Sequence, residues 1–255
     1  MNTGNHARGT LQFVLFNIPV SIHPSSWIIL ALLGLSMGSG EEGALQSILI
    51  FIVVGMLTIL AHEFGHALVG RAYTRVTPYI EIGGMGGVTH HPVGMPNRKS
   101  QFMMVLAGPM ASFVLGLGFA LLMGILVGNL RAGFYCYLCE PLDFIFNFNV
   151  PEDVQFSIIQ AIQNGSLPLA GLNFFFISFM ICFWWTVFNL FPIFPMDGGQ
   201  LLLTASKQPR MTAIIGLVLS VLLAIHFVSH GGIFMTMLMG YFAWINWKIL
   251  TYKER

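Results

Sequence analysis

The sequence predicts an all-α integral membrane protein with about six transmembrane helices and a short β-hairpin or re-entrant loop near residues 77–97. Hydrophobic residues make up 56% of the 255-residue chain and charged residues only 8%, far below the roughly one quarter of a soluble domain. Several apolar runs approach the ~20 residues that cross a bilayer as a helix. The net charge of +1 and the lack of a large basic cluster exclude nucleic acid as a partner.

The apolar runs place the predicted membrane segments in order along one membrane-embedded domain, residues 1–255. The segments lie at about 22–38, 44–70, 102–127, 168–191, 212–228 and 233–250. The first is short, and its N-terminal end carries His23 and Pro24. Residues 11–20 before it are apolar but too few to span a bilayer, so we expect them at the membrane interface. Glu41 and Glu42 mark a polar turn before the second segment.

Residues 78–92 have the composition of a hairpin, with β-branched and aromatic residues on either side of a Gly-rich centre. The centre contains Gly83, Gly84, Gly86 and Gly87. Glycine lets two backbones approach closely, so an exposed strand edge here could pair with an extended substrate, although a plain Gly-rich connector explains the pattern equally well. The adjacent His90 and His91 would point to opposite faces of a strand, and neither is predicted to be a metal ligand.

The longest polar stretch, residues 129–166, contains four acidic residues and is too short for a substantial soluble domain. Its aromatic middle, residues 144–150, is expected to rest on the membrane surface. Cys136 and Cys139 form a C-x-x-C pair in this loop. Two cysteines cannot complete a four-ligand metal site, so we predict no special role for them, with a loop disulfide as the alternative in an oxidising compartment.

The positive charges predict an orientation in the membrane. If six segments cross and both chain ends face the cytoplasm, all of the eleven Lys and Arg residues except Arg131 lie on the inner side. This distribution obeys the positive-inside rule. The second and fourth segments then run in the same direction, and their C-terminal ends lie at similar depth toward the cytoplasm.

The second segment carries three ionisable residues, His62, Glu63 and His66, near its C-terminal end. An ionised carboxylate at the centre of a bilayer costs about 3 kcal/mol, so the segment needs something that compensates these groups. On a helix, His62 and His66 project from one face a turn apart, as two ligands of one zinc ion do. Glu63 points to one side, where it can meet a water that the metal activates. A chance H-E-x-x-H match would be expected on a polar surface helix, so the apolar setting favours a metal site.

A catalytic zinc ion usually has three protein ligands, so one ligand is still missing. Of the acidic residues after His66, Asp197 alone stands at the end of a membrane segment at the matching depth. The residues that would break the helix around it are Pro192, Pro195, Gly198 and Gly199. They would let the carboxylate turn inward. An isolated Asp-Gly pair would more simply be a turn or a helix cap, but the incomplete metal site favours Asp197 as the third ligand.

Together these motifs resemble the site-2 protease family of intramembrane zinc metalloproteases. The resemblance rests on H-E-x-x-H at residues 62–66, N-x-x-P-x-x-x-x-D-G at 189–198, Ala-Gly-Pro at 107–109 and the position of the Gly-rich hairpin. It covers most of the chain. The family often has proline where Phe194 stands and Asn where Ser112 stands, and neither position is expected to contact a ligand.

The resemblance implies one Zn²⁺ ion per chain, bound by His62, His66 and Asp197, with Glu63 as catalytic acid/base. It also implies that Asn189 positions the substrate or stabilises the reacting carbonyl. The implied activity is hydrolysis of peptide bonds in or near the transmembrane segments of single-span membrane proteins, as in regulated intramembrane proteolysis. Family members often carry PDZ or CBS domains, for which this chain has no room, so we expect the membrane core alone.

Two other functions stay open on the residues alone. In a membrane metal or ion transporter, His and acidic residues would line a path through the bilayer, whereas here they gather near one end. A catalytically silent relative that only binds membrane partners would not need both the ligands and the base. Measured zinc content and peptide cleavage would separate the three.

Overall fold

The computed structural model describes residues 9–37 and 44–252. The helices are α1 Pro24–Met37, α2 Ala44–Thr74, α3 Arg98–Val127, α4 Leu130–Leu138, α5 Asp143–Phe146, α6 Glu152–Gln163, α7 Leu169–Asn189, α8 Asp197–Ser206, α9 Pro209–Ser229 and α10 Ile233–Thr251. The strands are β1 Leu11–Leu15, β2 Ile18–Ile22, β3 Tyr79–Gly83 and β4 Gly86–His90. The chain is therefore mainly helical with one small sheet, as predicted.

Five helices, α2, α3, α7, α9 and α10, are long and apolar enough to cross a membrane. The protein is thus a multi-pass membrane protein. The first predicted segment differs, because α1 has only 14 residues and Ile22, expected at its start, belongs to β2. The predicted turn at Glu41 and Glu42 lies outside the described residues, as do three charges used to predict the orientation, Arg8, Lys253 and Arg255.

The four strands form one sheet in the order β1-β2-β3-β4. Strands β3 and β4 are the antiparallel hairpin predicted near residues 77–97. Residues 11–20, which we expected only as a short interfacial piece, form most of a second hairpin that pairs in parallel with β3. Its two-residue loop has positive φ at Phe16 (52°) and Asn17 (60°), which gives the twist that an antiparallel pair needs.

One face of the sheet packs on α2. Its core residues are Ile18, Val20, Ile22, Ile80 and Ile82, which pack with Ile59, Phe64 and Ala67 of α2. Strand β4 continues two rows of this face, because Ile80 is paired with Thr89 and Ile82 with Gly87. On this face β4 thus has a hydroxyl and a glycine where β2 and β3 have aliphatic side chains. It is also a free edge of the sheet among the described strands.

Helices α2 and α3 approach closely at Gly65. A Cβ on Gly65 would lie 2.3 Å from the carbonyl oxygen of Ala107 and 2.9 Å from the Cβ of Ala111. Small residues allow such approach between helices in lipid, where packing replaces the hydrophobic effect as the driving force. The backbone of α2 next to the two histidines is therefore fixed against α3.

The predicted polar loop, residues 129–166, contains the short helices α4, α5 and α6. The three cysteines of the chain are free, so Cys136 and Cys139 form no disulfide. Burial raises the pKa of the Cys136 thiol to about 12. That thiol stays protonated at neutral pH and is a poor nucleophile or ligand.

The last helix fixes the loop that precedes α8. Asn246 of α10 is completely buried, and its amide donates to the carbonyl oxygens of Phe194 and Phe242, each at 2.8 Å. Ile193 of the same loop is buried beside Phe242. The chain is thereby held in place immediately before Asp197.

Candidate metal centre

The three predicted ligand residues meet where α2 approaches the start of α8. His62 Nε2 and His66 Nε2 are 3.1 Å apart. Asp197 Oδ2 lies 3.0 Å from His62 Nε2 and 3.3 Å from His66 Nε2. Among the described residues, this is the one group of three or more His, Cys, Asp or Glu side chains that could hold a metal ion. All three are buried, with at most 8% of each residue exposed.

Local sequence explains how the carboxylate reaches the histidines. Asp197 is the first residue of α8, after the loop that ends α7. A Cβ on Gly198 would lie 2.1 Å from the carbonyl oxygen of Leu190, and one on Gly199 would lie 2.7 Å from the carbonyl carbon of Ile193. Only glycines let α8 begin this close to the preceding loop, so the Gly-Gly pair determines where Asp197 stands.

Each histidine is oriented through its other ring nitrogen by α3. His66 Nδ1 donates to the carbonyl oxygen of Met104 at 2.9 Å, so its Nε2 carries the lone pair that a metal needs. His62 Nδ1 lies 3.3 Å from the hydroxyl oxygen of Ser112. Our expectation that position 112 contacts no ligand is therefore wrong, because Ser112 lies two helical turns after Met104 on the α3 face that meets α2.

The donor set fits a zinc ion. Tetrahedral zinc with bonds of about 2.0–2.1 Å to nitrogen and oxygen brings its ligand atoms to within about 3.3–3.4 Å of one another, close to the separations here. Asp197 Oδ2 is buried and makes no hydrogen bond of acceptable geometry within the described part of the chain, although both Nε2 atoms are near it. Lone pairs that converge on one buried point need a cation, which a metal ion would supply.

Glu63 lies beside this group and is not a member of it. Its side chain extends toward β4, where the hydroxyl of Thr89 donates to Glu63 Oε2 at 2.7 Å. A Cβ on Gly87 would lie 2.6 Å from Glu63 Oε1. The carboxylate is thus held between the histidine-bearing helix and the edge of the sheet, and 3% of the residue is exposed.

A family model described as peptidase family M50 matches residues 50–229, which include the segments of all three ligands. The chain belongs to peptidase family M50. Two curated relatives support the match. A zinc metalloprotease from Methanocaldococcus jannaschii is 24% identical over 192 residues, which are 74% of this chain and 43% of that protein. A Synechocystis protein described as a zinc metalloprotease is 28% identical over 196 residues, 74% of this chain and 41% of that protein.

The M50 chain thus spans less than half the length of these curated relatives. Its fold is shared by a solved structure, the site-2 protease from Methanocaldococcus jannaschii, with a TM-score of 0.54. That comparison covers 96% of this chain and 97% of the other at 18% sequence identity. At this identity the match shows only that the two proteins share a fold.

The residues predicted to bind substrate lie in two parts of the M50 fold, the end of α7 and the β3–β4 hairpin. Asn189 is the last residue of α7, and its amide donates to the carbonyl oxygen of Trp185 at 2.8 Å. The predicted hairpin glycines are Gly83 at the end of β3, Gly84 in the turn, and Gly86 and Gly87 at the start of β4. An added Cβ would meet no described atom within 4 Å at Gly83, whereas at Gly87 it would meet Glu63. Their role in substrate binding stays a prediction.

The two hairpin histidines stand apart from the metal group. His90 Nε2 lies 3.0 Å from Glu81 Oε2, and its ring stacks on Tyr79. The His91 ring packs against Gly70, one turn after His66 on α2, and its nitrogens have no hydrogen-bond partner in the described part of the protein. Neither is brought into the M50 metal group within the described part of the chain.

The Ala-Gly-Pro element of α3 also has a place at the M50 site, which the sequence alone did not reveal. A Cβ on Gly108 would lie 2.2 Å from His66 Nε2 and 2.3 Å from its Cε1. The missing side chain of Gly108 therefore creates the space in which the His66 imidazole lies. Met104, Gly108 and Ser112 are spaced by four residues, so one stripe of α3 serves both histidines.

We expect Gly108→Ala to weaken zinc binding roughly 10- to 100-fold, because the added methyl group must displace the His66 ring. The affinity is measured by competition with a chromophoric chelator in detergent. Gly118→Ala is the matched control, since it lies on the same helix and its methyl group would meet no described atom within 4 Å. Equal zinc affinity in Gly108→Ala and wild type would contradict the assigned role of this glycine.

Proposed function

We propose that this M50 protein is an intramembrane zinc metalloprotease that hydrolyses peptide bonds in or near the transmembrane segments of membrane proteins. The observation that carries the proposal is the buried triangle of His62, His66 and Asp197 with the Glu63 carboxylate beside it. A transporter would need such groups along a path across the bilayer, but these converge on one point. The names of the curated relatives agree with a zinc-dependent protease.

In this proposal, His62, His66 and Asp197 hold the ion, and Glu63 moves the proton. Bound zinc would supply Lewis-acid activation of a water molecule and of the scissile carbonyl. The Glu63 carboxylate accepts a proton from the attacking water and then donates it to the amine that leaves. Burial keeps Glu63 away from bulk solvent, and the Thr89 hydroxyl fixes one of its oxygens, so the other oxygen is free to take the proton.

The substrate of this reaction would bind in an extended conformation. A helical transmembrane segment hides its carbonyls in its own hydrogen bonds, so it has to unwind before attack. We infer that the unwound segment pairs with the edge strand β4, as extended peptides pair with free sheet edges in other proteins. Contact between Gly87 and Glu63 supports this inference, because it brings the edge next to the acid/base. Asn189 would contact the substrate from the end of α7.

The site would face the cytoplasm, and both chain ends would lie on that side if the short apolar helix α1 crosses the membrane together with the five long helices. Arg71 follows the histidines by little more than one turn of α2, and Arg98 and Lys99 begin α3. Lys207 and Arg210 flank the start of α9. These positive charges lie at the ends of α2 and α8, which carry the metal group, and at the starts of α3 and α9, which supports a cytoplasmic location by the positive-inside rule.

Purified protein incubated with a panel of single-span peptides tests the proposed function. We expect cleavage of at least one peptide, loss of cleavage with a zinc chelator, and recovery when zinc is added back. Mass spectrometry of the products locates the cut relative to the apolar segment. Stoichiometric zinc without cleavage of any peptide would instead favour a catalytically silent member of the family.

A further inference from the structure

Strand β4 departs from the pattern of its neighbours at the positions that face α2. In one row of the sheet Val20 and Ile80 are followed by Thr89, and in the next Ile22 and Ile82 are followed by Gly87. An ordinary strand at this place would complete the apolar face with two more aliphatic side chains. The space that a side chain at position 87 would fill is occupied by Glu63.

Two contacts define how β4 receives this carboxylate. The Thr89 hydroxyl lies 2.7 Å from Glu63 Oε2 and 3.0 Å from the Glu63 carbonyl oxygen, so its one proton reaches either acceptor. The shorter contact has the length of a charge-assisted hydrogen bond between a hydroxyl and a carboxylate. At Gly87, a Cβ would lie 2.4 Å from Glu63 Cγ. The strand therefore supplies a hydrogen-bond donor at Thr89 and, at Gly87, the space that the Glu63 side chain fills.

We propose that Thr89 is a positioning residue for the acid/base Glu63, and that Gly87 provides the space this arrangement needs. The inference rests on the proposed function and adds a specific role for β4. The strand that would bind the substrate also holds the group that would act on it. Because Glu63 has three rotatable side-chain bonds, the Thr89 hydrogen bond selects one conformation of a side chain that otherwise samples several.

Pairing of a substrate along β4 would then affect the acid/base directly. Among the strands that the structure describes, β4 is paired with β3 alone, so the peptide adds hydrogen bonds on the other side and restricts the strand. Thr89 moves with the strand, and the Glu63 carboxylate moves with Thr89. Binding of a substrate to β4 would thus also align the Glu63 carboxylate.

Thr89→Val tests this role, because it replaces the hydroxyl with a methyl group of similar size. We expect kcat to fall by roughly tenfold or more, as misalignment of a reacting group does, with KM and zinc content close to wild type. Thr89→Ser keeps the hydroxyl and is expected to retain most of the wild-type kcat. A loss of zinc or a parallel rise in KM would indicate damage to the strand and would overturn the proposal.

A double-mutant cycle on thermal unfolding tests the contact without relying on activity. We expect Thr89→Val to lower the unfolding midpoint by about 2–4 °C in the wild-type background and by less in Glu63→Ala, where the carboxylate acceptor is gone and only the backbone carbonyl of residue 63 remains. Thr58→Val is the control, since Thr58 is buried on α2 but donates to Val54, and its effect should be equal in both backgrounds.

Additive effects of Thr89→Val and Glu63→Ala on the midpoint, or a wild-type kcat in Thr89→Val, would overturn the proposal. Wild-type protein that cleaves none of the peptides would contradict the proposed function instead. In that case the unfolding cycle still decides whether Thr89 holds Glu63.

Discussion

Glu63→Gln is expected to lower kcat by roughly 10²- to 10⁴-fold, the contribution of a positioned general acid/base, while zinc remains bound. Glutamine has nearly the shape of glutamate and can still accept the hydrogen bond from Thr89 through its amide oxygen. It cannot take a proton from water at neutral pH. Glu63 is also not a member of the metal group, so its replacement leaves the three donor atoms in place.

Cleavage rate and zinc content have to be measured on the same preparation, by product quantification and by elemental analysis. Glu152→Gln makes the same chemical change at an exposed residue at the start of α6 and should leave both quantities at the wild-type level. Proteolysis at an undiminished rate in pure Glu63→Gln protein would refute the acid/base role. Loss of zinc in this variant would mean that Glu63 stabilises the metal site.

Asp197→Ala is expected to weaken zinc binding more than about 100-fold, beyond the cost of losing a residue that merely supports a ligand. It removes the one negative charge among the three donors and leaves two neutral imidazoles. Asp197→Asn keeps the shape and one oxygen donor but not the charge, so its affinity should fall between those of wild type and Asp197→Ala. Both variants are expected to lose peptide cleavage at limiting zinc.

The zinc affinity of these variants is measured by chelator competition and related to cleavage at increasing zinc concentrations. Asp153→Ala serves as the control, because Asp153 is an exposed acid whose Oδ1 pairs with Arg131 at 3.1 Å far along the chain from the metal group. A wild-type affinity in Asp197→Ala would show that the third ligand is another residue. Recovery of cleavage by excess zinc in Asp197→Asn would identify the charge as a determinant of affinity.

The sequence predicted the members of the metal group because two simple geometric rules apply to them. His62 and His66 are four residues apart on a helix, so their rings share a face whatever surrounds them. Asp197 could be selected because α2 and α7 run in the same direction and because prolines and glycines prevent a helix from continuing past α7. The three donor atoms lie within 3.0–3.3 Å of one another.

The residues that support this group could not be predicted, because their roles depend on which elements pack together. Ser112 reaches His62 across 50 positions of the sequence, and Thr89 reaches Glu63 across 26. No repeat or motif relates such pairs. A signal was nevertheless present for the N-terminal hairpin, since Ile18, Val20 and Ile22 alternate with more polar or exposed neighbours in the manner of a half-buried strand.

The three donor residues come from distant parts of the chain, and this links zinc binding to the stability of the folded protein. Two of the donor residues belong to α2 and the third to α8, so an ion bound by all three would cross-link the N-terminal and C-terminal parts of the chain. Unfolded chains do not hold these atoms together, and the ion would therefore favour the assembled form by mass action. The rate of zinc dissociation would then report how often α2 and α8 separate from each other.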